Sequence, residues 1–89
     1  MKLVRKVKVK NSLGLHTRPA AAIVKLLQPC KSSVLFTYKE ETINARSIMS
    51  ILMLAAKKNS QITITIEGID AEPTMDHLCR AFEEEFGEK

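Results

Sequence analysis

The sequence predicts an α+β open-faced sandwich, a four-stranded antiparallel sheet with three helices on one face, in the order β-α-β-β-α-β-α. Three observations carry this. Short stretches of alternating apolar and polar residues recur along the 89-residue chain. Between them lie segments with apolar residues at helical spacing. Each helical segment opens on a capping residue or proline, and each strand closes on glycine, asparagine or a charged turn.

The first strand is expected over Leu3 to Lys10, with Leu3, Val7 and Val9 on one face and Lys6, Lys8 and Lys10 on the other. Arg5 interrupts the apolar side. Asn11, Ser12 and Gly14 form a loop. The first helix then begins at about His16 or Thr17, because Pro19 is tolerated only in a first turn, where its missing N–H costs nothing. Ala20, Ile23, Val24 and Leu27 are its apolar positions, and Gln28-Pro29 ends it. Ser33 to Tyr38 reads as a second strand with Val34, Phe36 and Tyr38 on one side, and Lys39-Glu40-Glu41 turns into a short third strand, Thr42-Ile43-Asn44.

The second helix is expected over Ala45 to Ala56, capped by Ser47, with Ile48, Ile51, Leu52 and Ala55 as its core stripe. Met49 and Met53, spaced i and i+4, lie outside that stripe. Two readings stand for them: fillers of core gaps, or an adaptable surface for several partners. Lys57-Lys58-Asn59-Ser60 closes the helix, with cations at its negative end and Asn59 suited to its C-terminal cap. Gln61 to Glu67 is the clearest strand, Ile62, Ile64 and Ile66 alternating with Thr63, Thr65 and Glu67, and Gly68 ends it. Asp70 caps the third helix, Pro73 sits in its first turn, and Met75, Leu78, Cys79, Phe82 and Phe86 form its buried stripe. His77 falls off that stripe, on the surface.

Composition bounds the function. The length allows one domain over residues 1–89, and no apolar run approaches the roughly 20 residues of a membrane span. Met1-Lys2-Leu3 leads straight into a strand rather than a signal peptide, and Cys30 and Cys79 form no C-x-x-C. A cytoplasmic protein with free thiols, inserting in no membrane, is the expectation. The net charge of +4 is unevenly spread: residues 1–46 hold ten Lys and Arg against two acids, and residues 47–89 hold four against eight. The basic half could steer an acidic partner or nucleic acid, or be a solvated surface. Single-strand binders stack bases on exposed aromatics, and this chain has three Phe and one Tyr, two of them on the last helix, which argues against nucleic acid. His16 and His77 lack ligand-spaced partners, so neither a metal nor a cofactor is expected. Ser47 has no base at a motif spacing, which argues against a hydrolase.

The residue with chemical content is His16. At a helix start the first N–H groups lack intrahelical partners and the macrodipole is positive, so an arriving anion meets ready donors. The same field disfavours imidazolium, leaving a neutral nucleophile. Thr17 contributes a backbone N–H there, and the planar guanidinium of Arg18 suits phosphate oxygens. A lone histidine at a helix start is also compatible with a plain surface role. Together with Arg18 and Pro19 the pattern points to an acceptor of phosphoryl groups.

Gly14-Leu15-His16-Thr17-Arg18-Pro19-Ala20 resembles the active-site signature of the HPr family, the histidine-containing phosphocarriers of the bacterial phosphotransferase system. Asn44-Ala45-Arg46-Ser47-Ile48-Met49 resembles that family's regulatory serine site, and Gly68-Ile69-Asp70-Ala71-Glu72 its lead into the last helix. The resemblance spans nearly the whole chain. It implies a carrier rather than an enzyme: His16 takes a phosphoryl group on Nδ1 from phosphorylated enzyme I and passes it to enzyme IIA components in sugar uptake or its regulation. Arg18 would stabilise that group, and an HPr kinase would phosphorylate Ser47 as a regulatory site. Ile48, Met49, Leu52 and Met53, with Ala20 and Ile23 of the first helix, would form the docking surface of a monomeric carrier. Ser47 is equally a plain N-cap. Arg46 stands where many members have lysine, keeping the charge and adding a planar fork, and Asn59 stands where glycine is common. The Asn44-to-Met49 stretch favours HPr over the related nitrogen-linked branch.

Overall fold

The computed structural model describes residues 1–88; Lys89, the last residue of the expected domain, lies outside the described residues. Its centre is β4 (Gln61–Glu67), whose Ile62, Ile64 and Ile66 are fully buried on one face while Thr63 and Thr65 line the other. Strict alternation of β-branched residues suits a strand with one wet face. On one side β4 pairs antiparallel with β1 (Lys2–Lys8), on the other with β2 (Ser33–Tyr38), and β3 (Glu41–Asn44) pairs with β2. The spatial order is β1-β4-β2-β3, so β1 and β3 are the edges. The helices α1 (Thr17–Leu27), α2 (Ile48–Leu54) and α3 (Ala71–Glu83) complete the expected β-α-β-β-α-β-α order, followed by a short 3-10 turn, Glu85–Gly87. Together with Val34 and Phe36 of β2, their inner residues Ala20, Ile23, Leu27, Ile51, Met75, Leu78 and Phe82 build one aliphatic core. Phe82 bridges Phe36 and Phe86 through edge-on contacts at 5.8 and 4.9 Å between ring centres.

Several boundaries differ from the sequence expectation, each for a local reason. β1 ends at Lys8 rather than Lys10, because Val9 leaves the ladder, is fully buried, and bonds instead to Ser60 O (2.8 Å) and Asn59 N–H (2.7 Å). α2 is shorter than Ala45 to Ala56. Asn44 turns the chain first, its Oδ1 accepting from Arg46 N–H at 2.9 Å and its carbonyl from Ser47 N–H at 3.2 Å, and Ala55 ends the helix in a left-handed conformation (φ 53°). The cap is thus Ala55, not Asn59, whose own left-handed φ of 74° shapes the following turn. With only two turns, α2 buries Ile51 and Leu54; Ile48 and Ala55 are exposed, and Ala45 and Ala56 fill the core from outside its ends. Phe86 lies beyond the end of α3, on the 3-10 turn, and packs back on Phe82.

Asp70 occupies the N-cap of α3 without capping it through its side chain. Its carboxylate accepts from the N–H groups of Lys31 (2.8 Å) and Ser32 (2.9 Å) and from the Ser32 hydroxyl, tying the loop before β2 to the start of α3. The Ser32 hydroxyl foremost, then the Lys31 N–H, holds this carboxyl below its ordinary value.

Candidate functional site

His16 is the N-cap residue of α1, in an extended conformation (φ −80°, ψ −167°), and its carbonyl accepts the first helical bond from Ala20 N–H at 3.0 Å. What brings it there is a loop with one possible shape. Gly14 has φ +70°, and a Cβ on it would lie 2.3 Å from the Ala56 carbonyl oxygen. Only glycine combines that backbone conformation with that approach. The neighbouring Leu15 N–H donates to the same carbonyl at 3.0 Å, and Asn11 O accepts from Gly14 N–H at 3.0 Å. The loop is therefore bolted to the segment just after α2, and His16 emerges where α1 begins.

The helix start provides the donors expected of it. Pro19 has no N–H to satisfy, and the N–H groups of Thr17 and Arg18 meet no acceptor among the described residues. No acidic side chain stands in this first turn. Thr17 and Arg18 are both exposed.

The imidazole has a partner 72 residues away. Its Nε2 lies 2.8 and 3.1 Å from the two carboxylate oxygens of Glu88. A carboxylate only accepts, so the ring proton belongs on Nε2 and the neutral ring carries its lone pair on Nδ1. Asn11, fully buried, also donates through its side-chain amide to Glu88 and, at 2.9 Å, to Glu85 O. The Asn11 amide foremost, then the His16 ring and the Arg18 guanidinium, holds Glu88 below its ordinary value against the pull of burial. Glu88 and Asn11 were not among the residues singled out from the sequence. Glu88 belongs to an acidic tail with no periodic signal, and Asn11 reads locally as a loop former.

Ser47 is the N-cap of α2, its hydroxyl accepting from Ser50 N–H at 3.2 Å. The seven-residue helix, about 10 Å long, separates it from the Ala56 end where the His16 loop is attached. Arg46 uses the planar fork: Nη1 donates to Leu27 O (2.7 Å) and Nη2 to Cys30 O (2.7 Å) and Ser32 O (2.6 Å), closing the C-terminal end of α1 and the loop after it.

Met49 and Met53 are 69 % and 74 % exposed, which decides between the two readings left open for them: they are surface, not core filling. Ile48 is exposed beside them and Leu52 half-buried. Leu13, on the His16 loop, is also 75 % exposed. Ala20 and Ile23, by contrast, are fully buried and cannot line a docking surface. The helical spacing that marks them as apolar is the inner stripe of α1; its outer residues are Thr17, Arg18, Ala21 and Lys25. Phe36 and Phe82 lie in the core, with Tyr38 and Phe86 packed against it, so none of the four aromatic rings stands on the open sheet face as a stacking platform. Among the described residues no helix is long and apolar enough to cross a membrane.

Residues 3–84 match the family model described as the PTS HPr component phosphorylation site. The chain is 46% identical over 80 residues to the phosphocarrier protein HPr of Chlamydia muridarum (strain MoPn / Nigg), covering 90% of this chain and 77% of that protein. To its counterpart in Xylella fastidiosa (strain Temecula1) it is 35% identical over 86 residues, covering 97% of each. Among solved structures, HPr-C-His from Thermoanaerobacter tengcongensis superimposes with a TM-score of 0.93 at 31% identity, over 98% of both chains.

Proposed function

Because this chain belongs to the HPr family, the phosphocarriers of the phosphotransferase system, we propose that it carries the phosphoryl group on Nδ1 of His16. It accepts the group from phosphorylated enzyme I and hands it to enzyme IIA components in sugar uptake or its regulation. The observation that carries this reading is the Nε2–Glu88 contact, which leaves Nδ1 as the basic nitrogen at a helix N-terminus with free N–H donors.

The chemistry follows from those groups. In the neutral ring the Nδ1 lone pair attacks phosphorus, the P–N bond forms, and the P–N bond to the donor's histidine breaks; in that tautomer no proton has to leave Nδ1. The charge on the transferred oxygens meets the Thr17 and Arg18 N–H groups and the Arg18 guanidinium. Glu88 keeps the ring oriented while its own negative charge opposes over-stabilisation of the phosphorylated state. A carrier needs that balance, since tight holding would stop the onward transfer. The protein thus acts as a substrate of its partners rather than an enzyme, as one domain over residues 1–89, monomeric and cytoplasmic.

The partners dock on the exposed apolar surface of α2, Ile48, Met49 and Met53 with half-buried Leu52, and on exposed Leu13 and the outer residues of α1. Ser47 borders that surface. Its phosphorylation by an HPr kinase would place roughly −1.5 to −2 charges at a helix N-terminus, leaving the fold intact and repelling an acidic partner. Incubation with phosphoenolpyruvate, magnesium and a bacterial enzyme I, followed by intact mass, tests the carrier reading. One acid-labile phosphoryl group is expected on the wild type and none on His16→Ala, with both melting alike. A modified His16→Ala, or no modification of the wild type beside a phosphorylated HPr control, refutes it.

A further inference from the structure

Arg5 stands in the wrong phase for a half-buried strand. In the β1–β4 ladder Leu3, Arg5 and Val7 face Ile66, Ile64 and Ile62, the three buried isoleucines. An aliphatic residue at 5 would extend the core toward α3. Arginine instead leaves a hollow of about 310 Å³ between edge strand β1 and α3. Its floor is apolar, from Val7, Phe82 and half-buried Cys79, and its rim carries Arg5, Lys6, Lys8 and Lys10 against the single carboxylate of Glu83. Lys10 is engaged by Glu83. Arg5, Lys6 and Lys8 have no ion-pair partner among the described residues.

Lysines on an edge strand keep it from pairing with another chain, and Lys6 and Lys8 on the outward phase serve that purpose. It does not explain a guanidinium on the inward phase beside a thiol. We propose that the hollow is a second anion site, separate from His16, which takes a small phosphorylated organic molecule. The Arg5 fork suits two phosphate oxygens, and Lys6 and Lys8, on the opposite face of the edge strand, add only longer-range positive charge. Val7 and Phe82 receive the carbon body, and the volume is at the lower end for small-molecule sites. No residue of the His16 loop or α1 lines it. The Cys79 thiol, raised by burial despite the nearby Arg5, is a bystander useful as a reporter.

The test is a titration of the ¹⁵N-labelled full chain with phenyl phosphate, beside inorganic phosphate, at about 150 mM salt. Saturable shifts are expected at the amides of Arg5 to Lys8 and Cys79 to Glu83 at low-millimolar concentration, with phenyl phosphate binding more tightly. The same ligand should slow alkylation of Cys79 and leave Cys30 unchanged. Replacing Lys6 and Lys8 together by glutamine should weaken binding about fivefold. Replacing Lys31 and Lys58 by glutamine, the same loss of charge elsewhere, should change it less than about twofold. Arg5→Met, which restores the apolar phase, should abolish binding and hold or raise the melting temperature. Shifts confined to Thr17 and Arg18, equal weakening by both double replacements, or no saturation by about 20 mM would overturn the proposal. So would association with anionic lipid vesicles without any response to the free ester, which would assign these cations to a membrane surface.

Discussion

Arg46 offers a direct test of how this fold is tied together. Its guanidinium makes three contacts of 2.6 to 2.7 Å to the carbonyls of Leu27, Cys30 and Ser32, at the end of α1 and in the loop before β2. Arg46→Ala removes three charge-assisted bonds, each worth about 1.5 kcal/mol or more net. Water can reach part of the exposed loop, so the loss should be smaller than the sum, about 2–3 kcal/mol. For a domain of this size each kcal/mol lowers the melting temperature by roughly 4–8 °C, giving a drop of about 10–20 °C. Arg46→Lys keeps the charge, but one ammonium cannot span all three carbonyls, so a loss of about 1 kcal/mol is expected. Urea denaturation with unchanged slope is the assay. His16 lies at the other end of α1 and should still accept phosphoryl groups at temperatures where the variant is folded. An alanine variant within about 0.5 kcal/mol of wild type would refute the clamp. A lysine variant equal to wild type would show that the fork geometry is immaterial.

Gly14→Ala should cost about 2 kcal/mol or more and slow acceptance from enzyme I, because the new Cβ meets the Ala56 carbonyl in a left-handed backbone; a wild-type melt and wild-type kinetics would dismiss the bolted loop. Ser47→Asp keeps an N-cap acceptor and should leave stability within about 0.5 kcal/mol while slowing phosphoryl acceptance several-fold. Unchanged kinetics would remove Ser47 from regulation. Asp70 is held below its ordinary value in the folded state by Ser32 and Lys31. The unfolded chain therefore binds its proton first as pH falls: this stabilisation is complete above about pH 5, declines as pH falls past the unfolded value and disappears through the lower folded value. Melts of Asp70→Asn should lose less between about pH 5 and 2 than the wild type, Glu88 still contributing a share in the same direction. Parallel curves would show that the Asp70 carboxylate does not drive acid sensitivity.

Element type was legible wherever the signal was local. β4 and β2 begin and end where their alternation does, because each residue's side follows from a period of two. α1 begins at Thr17 because Pro19 permits nothing earlier than a first turn around it, and that alone set His16 at the helix end. α2 was harder. Its flanking alanines are good helix formers, yet Ser47 and Ala55 end it two turns apart, and Ala55 adopts a left-handed φ that composition gives no reason to expect. The carboxylate of Asp70, expected at its own helix, binds instead a loop 38 residues earlier, where two backbone donors and a hydroxyl converge.

The sequence by itself determined the architecture, the family and the place of His16 and Ser47 at helix starts, since periodicity, capping and proline act over a few residues. Only the tertiary structure set Nε2 of His16 against a carboxylate, because Glu88, itself held by the Asn11 amide, reaches the ring from 72 residues away and from a direction no pattern encodes. It also decided that Ala20 and Ile23 face inward while Met49 and Met53 face out. Hydrophobicity states that a residue is apolar, but whether it is buried depends on which neighbour the chain packs against it.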